Sequence, residues 1–137
     1  MPVDFPPAPD SVAPPGLYSH IAIASGSQII ALSGQTGRDV SGNFAMNDIA
    51  AQSQQAFATI GQLLSAAKAD WSAVVSFRVY VVGQANLRAF RAAREAIYTG
   101  IYPDGRYPAN TLLVVAALGR EEALVEVETL AIRSGTP

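Results

Sequence analysis

Hydrophobic positions recur along this chain with two periods. Between about Asp48 and Ala69, the residues Ile49, Ala56, Phe57, Ile60, Leu63, Leu64 and Ala67 return at three- and four-residue steps. That spacing predicts one buried face of a long helix, with Asn47 or Asp48 as its N-cap. From about Asn86 to Ile101 the same period places Leu87, Phe90, Ile97 and Ile101 inward, a second helix. Elsewhere the period is two. Val74 to Val82 alternates Val75, Phe77, Val79 and Val81 against Ser76, Arg78 and Tyr80, a strand with one dry face. "SHIAIASGSQIIALSG" is two β-rich runs around the turn-forming Ser25-Gly26-Ser27, which predicts a hairpin, and the turn "DVSGN" returns a third short strand. "NTLLVVAAL" and "ALVEVETLAIR", joined by "GREE", predict a closing pair of strands.

The predicted order is therefore β-β-β-α-β-α-β-β, an α+β sandwich with both helices on one sheet face. Its other face is unusual. In the last strand Val125, Val127, Thr129 and Ala131 point one way, and Leu124, Glu126, Glu128, Leu130 and Ile132 the other. Carboxylates flanked by leucine and isoleucine suit a subunit interface holding a polar pocket. They equally suit an exposed face with incidental apolar residues.

Composition adds exclusions. The 137 residues are a single-domain length, and six of the nine prolines fall in residues 2 to 15, which separates an extended arm (1–15) from one domain (16–137). Cysteine is absent and there is one histidine, so no thiolate metal site is available, and no metal or cofactor is expected. A formal charge of -2 is no nucleic-acid footprint. Arg88, Arg91 and Arg94 share a helical spacing and are read as a solvated helix face. No apolar run is long enough to cross a bilayer and the arm lacks a basic leader, so the expectation is a soluble, cytoplasmic protein without nucleic-acid or membrane partners.

Candidate chemistry is sparse. Gly34, Gly37 and Gly42 lack the Lys-Ser/Thr of a phosphate loop and read as turn residues. His20 begins an alternating strand with no nucleophile constellation around it and reads as structural or surface. In "YPANT" the proline biases the chain toward extended backbone, so Asn110 and Thr111 open a strand. Asn110 is there either to finish a turn or to line a site at the strand mouth.

Four collinear stretches then carry a resemblance: "GLYSHIAIASGSQIIALSGQTGRDVSGNF", "DIAAQSQQAFATIGQLLSAAKADWSAVVSFRVYV", "YPANTLLVVAAL" and "LVEVETLAI". Together, from Gly16 to Arg133, the chain resembles the RidA/YjgF family of reactive-intermediate imine deaminases. The resemblance implies a chorismate mutase-like fold, with two helices on one face of a mixed sheet. It also implies a homotrimer whose helix-free faces form a central barrel, with a small-molecule cleft at each subunit interface. Deaminating members hydrolyse enamines or imines to 2-keto acids and ammonia without metal or organic cofactor. By the same resemblance Tyr18, Ser33 and Gly34 face the ligand, and Glu126 holds the attacking water together with the backbone carbonyl of Leu112. Ile97 and Tyr98 form an apolar wall. Asn110, followed by Thr111, stands where deaminating members carry the arginine that grips the substrate carboxylate.

That departure has a magnitude. A guanidinium meets a carboxylate with two charge-assisted bonds, whereas an amide brings no net charge. Loss of about 1.5 to 3 kcal/mol weakens binding roughly 10- to 150-fold. Arg106, four residues earlier but on the loop and not at the strand start, and Arg38, after the glycine turn, are the substitutes the sequence offers for that role. The expected activity is an imine or enamine deaminase, or related hydrolase, acting on a small metabolite other than 2-aminoacrylate. The alternative is a non-catalytic binding or regulatory trimer of the same fold. Ribonuclease activity, sometimes attached to the family, fits poorly with an acidic chain.

Overall fold

Residues 2–135 are described by a computed structural model. Eight regular elements follow one another: β1 Val3–Asp4, β2 Ile23–Ala24, β3 Gln28–Thr36, α1 Ile49–Ala66, β4 Val74–Val82, α2 Leu87–Ile101, β5 Ala109–Val115 and β6 Val125–Arg133. The four long strands make one sheet in the order β3-β6-β4-β5. It is mixed: β6 runs antiparallel to β3 and β4, while β5 runs parallel to β4.

The first helix starts and stops for local reasons. Asp48 caps α1 by accepting the Ala51 amide at 3.0 Å, satisfying one of the donors that a helix N-terminus leaves open. The helix ends at Ala66 rather than Ala69 because Lys68 turns left-handed, φ 57. Lys68 N then bonds Ser65 O and Ala69 N bonds Leu64 O, a Schellman closure with lysine where glycine is usual. Against the sheet, α1 buries Ile49, Phe57, Ile60 and Leu64, and α2 buries Phe90 and Tyr98. They meet Phe77, Val79 and Val81 of β4 and Val125, Val127 and Ala131 of β6 in one cluster. The alternation in β6 survives intact, because a central strand needs its whole dry face under the helices.

Five sequence expectations are corrected. The first hairpin does not form: β2 pairs with β1 of the proline-rich arm, Val3 opposite Ala24, and not with β3. Val3 is buried at 1% exposure, so the arm is docked on the domain at its first strand. No third strand follows "DVSGN"; Asp39 Oδ1 instead accepts the Ser41 and Asn43 amides, each at 2.9 Å, closing a tight loop. β5 and β6 are not neighbours, since β6 inserts between β3 and β4 while β5 follows β4 through the α2 crossover, which demands parallel pairing. In β4 the register shifts between Val74 and Ser76, so Val74 takes the buried place expected of Val75. Arg94 also departs from the solvated face: it is 7% exposed, while Arg88 and Arg91 are exposed.

Candidate functional site

The helix-free face of the sheet carries a polar band. Glu126 of β6 lies between Thr36 of β3 and Tyr80 of β4, and one row along, Glu128 faces Arg78, which in turn is beside Thr111 of β5. Tyr80 donates its hydroxyl proton to Glu128 Oε1, and Arg78 Nη1 stands 3.7 Å from Glu128 Oε2. That bond, which stabilises the neutral phenol beside a carboxylate, holds the Tyr80 pKa above its ordinary value. Glu126 differs from Glu128. It makes no hydrogen bond or ion pair with the described residues.

What lies against Glu126 is backbone. β3 bulges between Leu32 and Gln35, and the bulge brings Gly34 so close that a Cβ there would sit 2.8 Å from the Glu126 carboxyl carbon. Any larger residue there would push the Glu126 carboxylate from its place. Ser33, beside it, is exposed, and its carbonyl accepts from Gln35 Nε2 at 3.0 Å. Gly34 also lines a cavity of about 640 Å³ together with Gln35, Thr36, Arg38 and Arg120.

Asn110 is in a different place. The segment of Tyr18 to His20 crosses the mouth of β5: Ser19 forms a parallel bridge to Ala109, its amide bonds Pro108 O at 3.1 Å and its hydroxyl donates to Tyr107 O at 2.6 Å. Tyr18, Asn110 and Thr111 thereby line one cavity of about 470 Å³, with His20, Arg78 and Glu128. Asn110 Oδ1 is buried with no hydrogen-bond partner. His20 is a fastener: its Nε2 is 2.7 Å from Ala13 O and its ring sits edge-on to Tyr18 at 5.3 Å.

The remaining expected residues are separated from both groups. Ile97 is half-buried on α2 beside Trp71 and Ile101 in a third depression. Tyr98, at 1% exposure, is in the core between helix and sheet, its ring stacked on Tyr107 at 5.4 Å, and burial pushes its hydroxyl far above the ordinary range. Leu112 packs against the same core. Arg106 is engaged elsewhere: it donates to Val3 O at 3.2 Å and covers the Phe5 ring at 5.3 Å, fastening the arm. Within one chain, then, Tyr18, Asn110 and Thr111 form one group, Gly34 and Glu126 a second, and Ile97 a third.

Sequence reading passed over Arg78, Tyr80 and Glu128 as a connected group. The signal was present, since Ser76, Arg78 and Tyr80 alternate in β4 opposite the acidic face of β6.

Comparison with known proteins decides the family. The model of the family described as Endoribonuclease L-PSP matches residues 8–133. The chain belongs to this family, the YjgF/RidA or Rid family. A human relative named 2-iminobutanoate/2-iminopropanoate deaminase is 32% identical over 127 residues, 92% of this chain and 85% of the relative. A rat relative of the same name is 31% identical over 119 residues, 86% of this chain and 81% of the relative. Among solved structures, the Yersinia pestis protein YyfB, a protein of unknown function of the conserved Rid family, matches with TM-score 0.83 and 30% identity, covering 96% of this chain and 99% of YyfB. The Escherichia coli YjgF gene product matches with TM-score 0.69 and 26% identity, covering 78% and 82%. The Rid fold is thus shared, helices on one face and the Glu126 face open. No helix among the described residues is long and apolar enough to cross a membrane.

Proposed function

We propose that this Rid-family chain is a cytoplasmic imine or enamine deaminase that works as a homotrimer, with its cleft shared between subunits. The single observation that carries the reading is Glu126: a carboxylate with no hydrogen-bond or ion-pair partner among the described residues of its own chain, seated against the glycine of the β3 bulge on the open face of the sheet. The relatives' names support the reaction, since 2-iminobutanoate and 2-iminopropanoate are imino acids. The division of site residues supports the assembly. Tyr98 is in the core and outside any cleft, but Tyr18, Asn110 and Thr111 lie in one depression and Gly34 with Glu126 in another, so a cleft containing both groups needs a second copy. The helix-free face supports it too, with Ile29 75%, Leu130 41% and Leu113 40% exposed around the charged band.

The chemistry asks little of the protein. Glu126 accepts a proton from water as the oxygen adds to the imine carbon, and the nitrogen takes up a proton. The carbinolamine then collapses, the C–N bond breaks, and ketone and ammonia leave. Holding water and imine together removes the entropic part of the barrier. Tyr18 and Thr111 frame the Asn110 end of the cleft. Asn110 offers donor and acceptor in place of a cation, so the native substrate is a metabolite other than 2-aminoacrylate.

The test is ammonia and keto-product release from a panel of generated imines, with wild type, Asn110→Arg and Glu126→Ala. Turnover abolished by Glu126→Ala, and extended to simple 2-imino acids by Asn110→Arg, is the expected result. No turnover on any imine, with tight binding of a metabolite, means a non-catalytic binding trimer instead. A monomer by light scattering removes the shared cleft.

A further inference from the structure

Two arginines line the cavity that begins at Gly34: Arg38, one of the two substitutes the sequence offers for the missing arginine, and Arg120, which the sequence did not single out. Arg38 has no carboxylate within ion-pair distance among the described residues. Arg120 reaches Glu122 Oε2 at only 3.5 Å and keeps 54% of its side chain exposed. Both arginines line the same cavity as Gly34, where Gly34 is the residue that a Cβ would push into the Glu126 carboxylate; Asp39 lines it too, with its Oδ1 already taken by the Ser41 and Asn43 amides.

Their placement rests on one buried side chain. Gln52 of α1 is fully buried; its amide donates to Ala45 O at 3.0 Å and to Glu122 O at 2.9 Å, and its carbonyl accepts from Leu124 N at 2.8 Å. Gly37, next to Arg38, touches it as well, since a Cβ there would lie 2.5 Å from Gln52 Cα. Both ends of the Arg38 loop and the segment carrying Arg120 are therefore sewn to the same residue. Phe44, at 6.0 Å under the Arg120 guanidinium, adds a second support from the loop. Two cations on independently flexible loops would lose their convergence to side-chain and backbone entropy, and here the loop part of that cost is already met in folding.

We propose that Arg38 and Arg120 form the carboxylate-binding arm of this chain's site, holding an anionic end of the substrate on the Gly34 side while the imine carbon lies over Glu126. This rests on the deaminase reading and specifies its substrate class: a small imine whose carboxylate is gripped from the β3 edge rather than from the strand mouth at Asn110. Guanidinium groups are suited to it, because their fork matches the two carboxylate oxygens.

The test separates binding from turnover. Calorimetry with glutarate and with neutral glutaramide is run on wild type, Arg38→Gln, Arg120→Gln and, as control, Arg91→Gln on the exposed side of α2. Glutarate binds wild type more tightly than glutaramide, and each cavity variant weakens glutarate roughly tenfold or more while Arg91→Gln leaves it unchanged. Glutarate affinity that is absent, or indifferent to both substitutions, overturns the proposal. If the charge-dependent binding holds but no imine is hydrolysed, the deaminase reading fails and the anion site stands. If imines are hydrolysed with a KM indifferent to Arg38→Gln, the anion site fails and the deaminase reading stands.

Discussion

Replacing Gln52 by leucine keeps the bulk of a buried side chain and removes only its amide. Three backbone groups lose their partner at once: Ala45 O, Glu122 O and Leu124 N. Ala45 is exposed and its carbonyl can take water. Glu122 and Leu124 are half-buried, and an orphaned polar group in such a place costs about 1–3 kcal/mol. The two groups together give an expected destabilisation of about 2–6 kcal/mol. With a urea slope of about 1.5–2 kcal/mol/M, the unfolding midpoint falls by about 1–4 M. The assay is urea unfolding followed by tryptophan fluorescence at fixed protomer concentration, since any assembly makes stability depend on concentration. Glutarate affinity, measured well below the midpoint, falls together with stability because both arginine-bearing segments lose their shared anchor. A midpoint shift below about 0.3 M would refute the reasoning, showing that water or a small backbone rotation replaces the amide without cost.

Arg94 is a cation 7% exposed, its Nε without a hydrogen-bond partner, set between the rings of Phe90 at 5.4 Å and Tyr98 at 5.9 Å. Burial lowers its pKa, and Arg94→Met is expected to stabilise the protein by about 1–3 kcal/mol, read as a higher thermal midpoint. A loss instead would mean that a carboxylate of another copy pairs with it. Burial raises the pKa of Tyr98 and Tyr102 above the free value, so the native state keeps protons that the unfolded state releases above about pH 10. Stability is intact below that pH and falls as pH rises beyond it; Tyr98→Phe flattens the alkaline limb, and an unchanged limb contradicts the placement.

How much of this was legible beforehand depended on which residues carried the signal. Strict alternation in "VEVETLAI" and three- and four-residue steps in α1 determine burial locally, so both elements form where the spacing puts them. Strand neighbours were not legible in the same way. Short turns near Ser25-Gly26-Ser27 and "GREE" look like hairpins, yet β6 lies between β3 and β4, because a strand whose inner face is buried from Val125 to Ala131 is most stabilised at the sheet centre, beneath the helices. Arg94 and Gln52 were missed for a common reason: polar residues at helical spacing read as solvent-facing unless their partners are known. The partners of Gln52 lie seven and about seventy residues away, at Ala45, Glu122 and Leu124. At the site, the resemblance supplied candidates, while the three-dimensional arrangement divided them among depressions that no sequence spacing announces.

Asn110 illustrates why a substitution at a strand mouth can redirect a site rather than empty it. Its Oδ1 is buried beside a 470 Å³ cavity and makes no hydrogen bond in the chain. An arginine there only donates, so it selects anions; an unpaired amide oxygen is costly to leave dry and selects a ligand that donates, such as a protonated imine nitrogen, an amide or a hydroxyl. The polarity demanded of the substrate at this end is thus reversed. An anionic end, where the substrate has one, must then be held by cations elsewhere, and Arg106 is already committed to Val3 and Phe5. Arg38 and Arg120 are the arginines that line the cavity beside Gly34, Arg120 through a side chain that stays 54% exposed beside Glu122. The double variant Asn110→Arg with Arg38→Gln should therefore favour short 2-imino acids, with the carboxylate bound next to the reacting carbon, over substrates whose carboxylate lies farther away. If the ratio of kcat/KM for short over long imino acids does not rise in that variant relative to wild type, the two ends do not divide the substrate in this way.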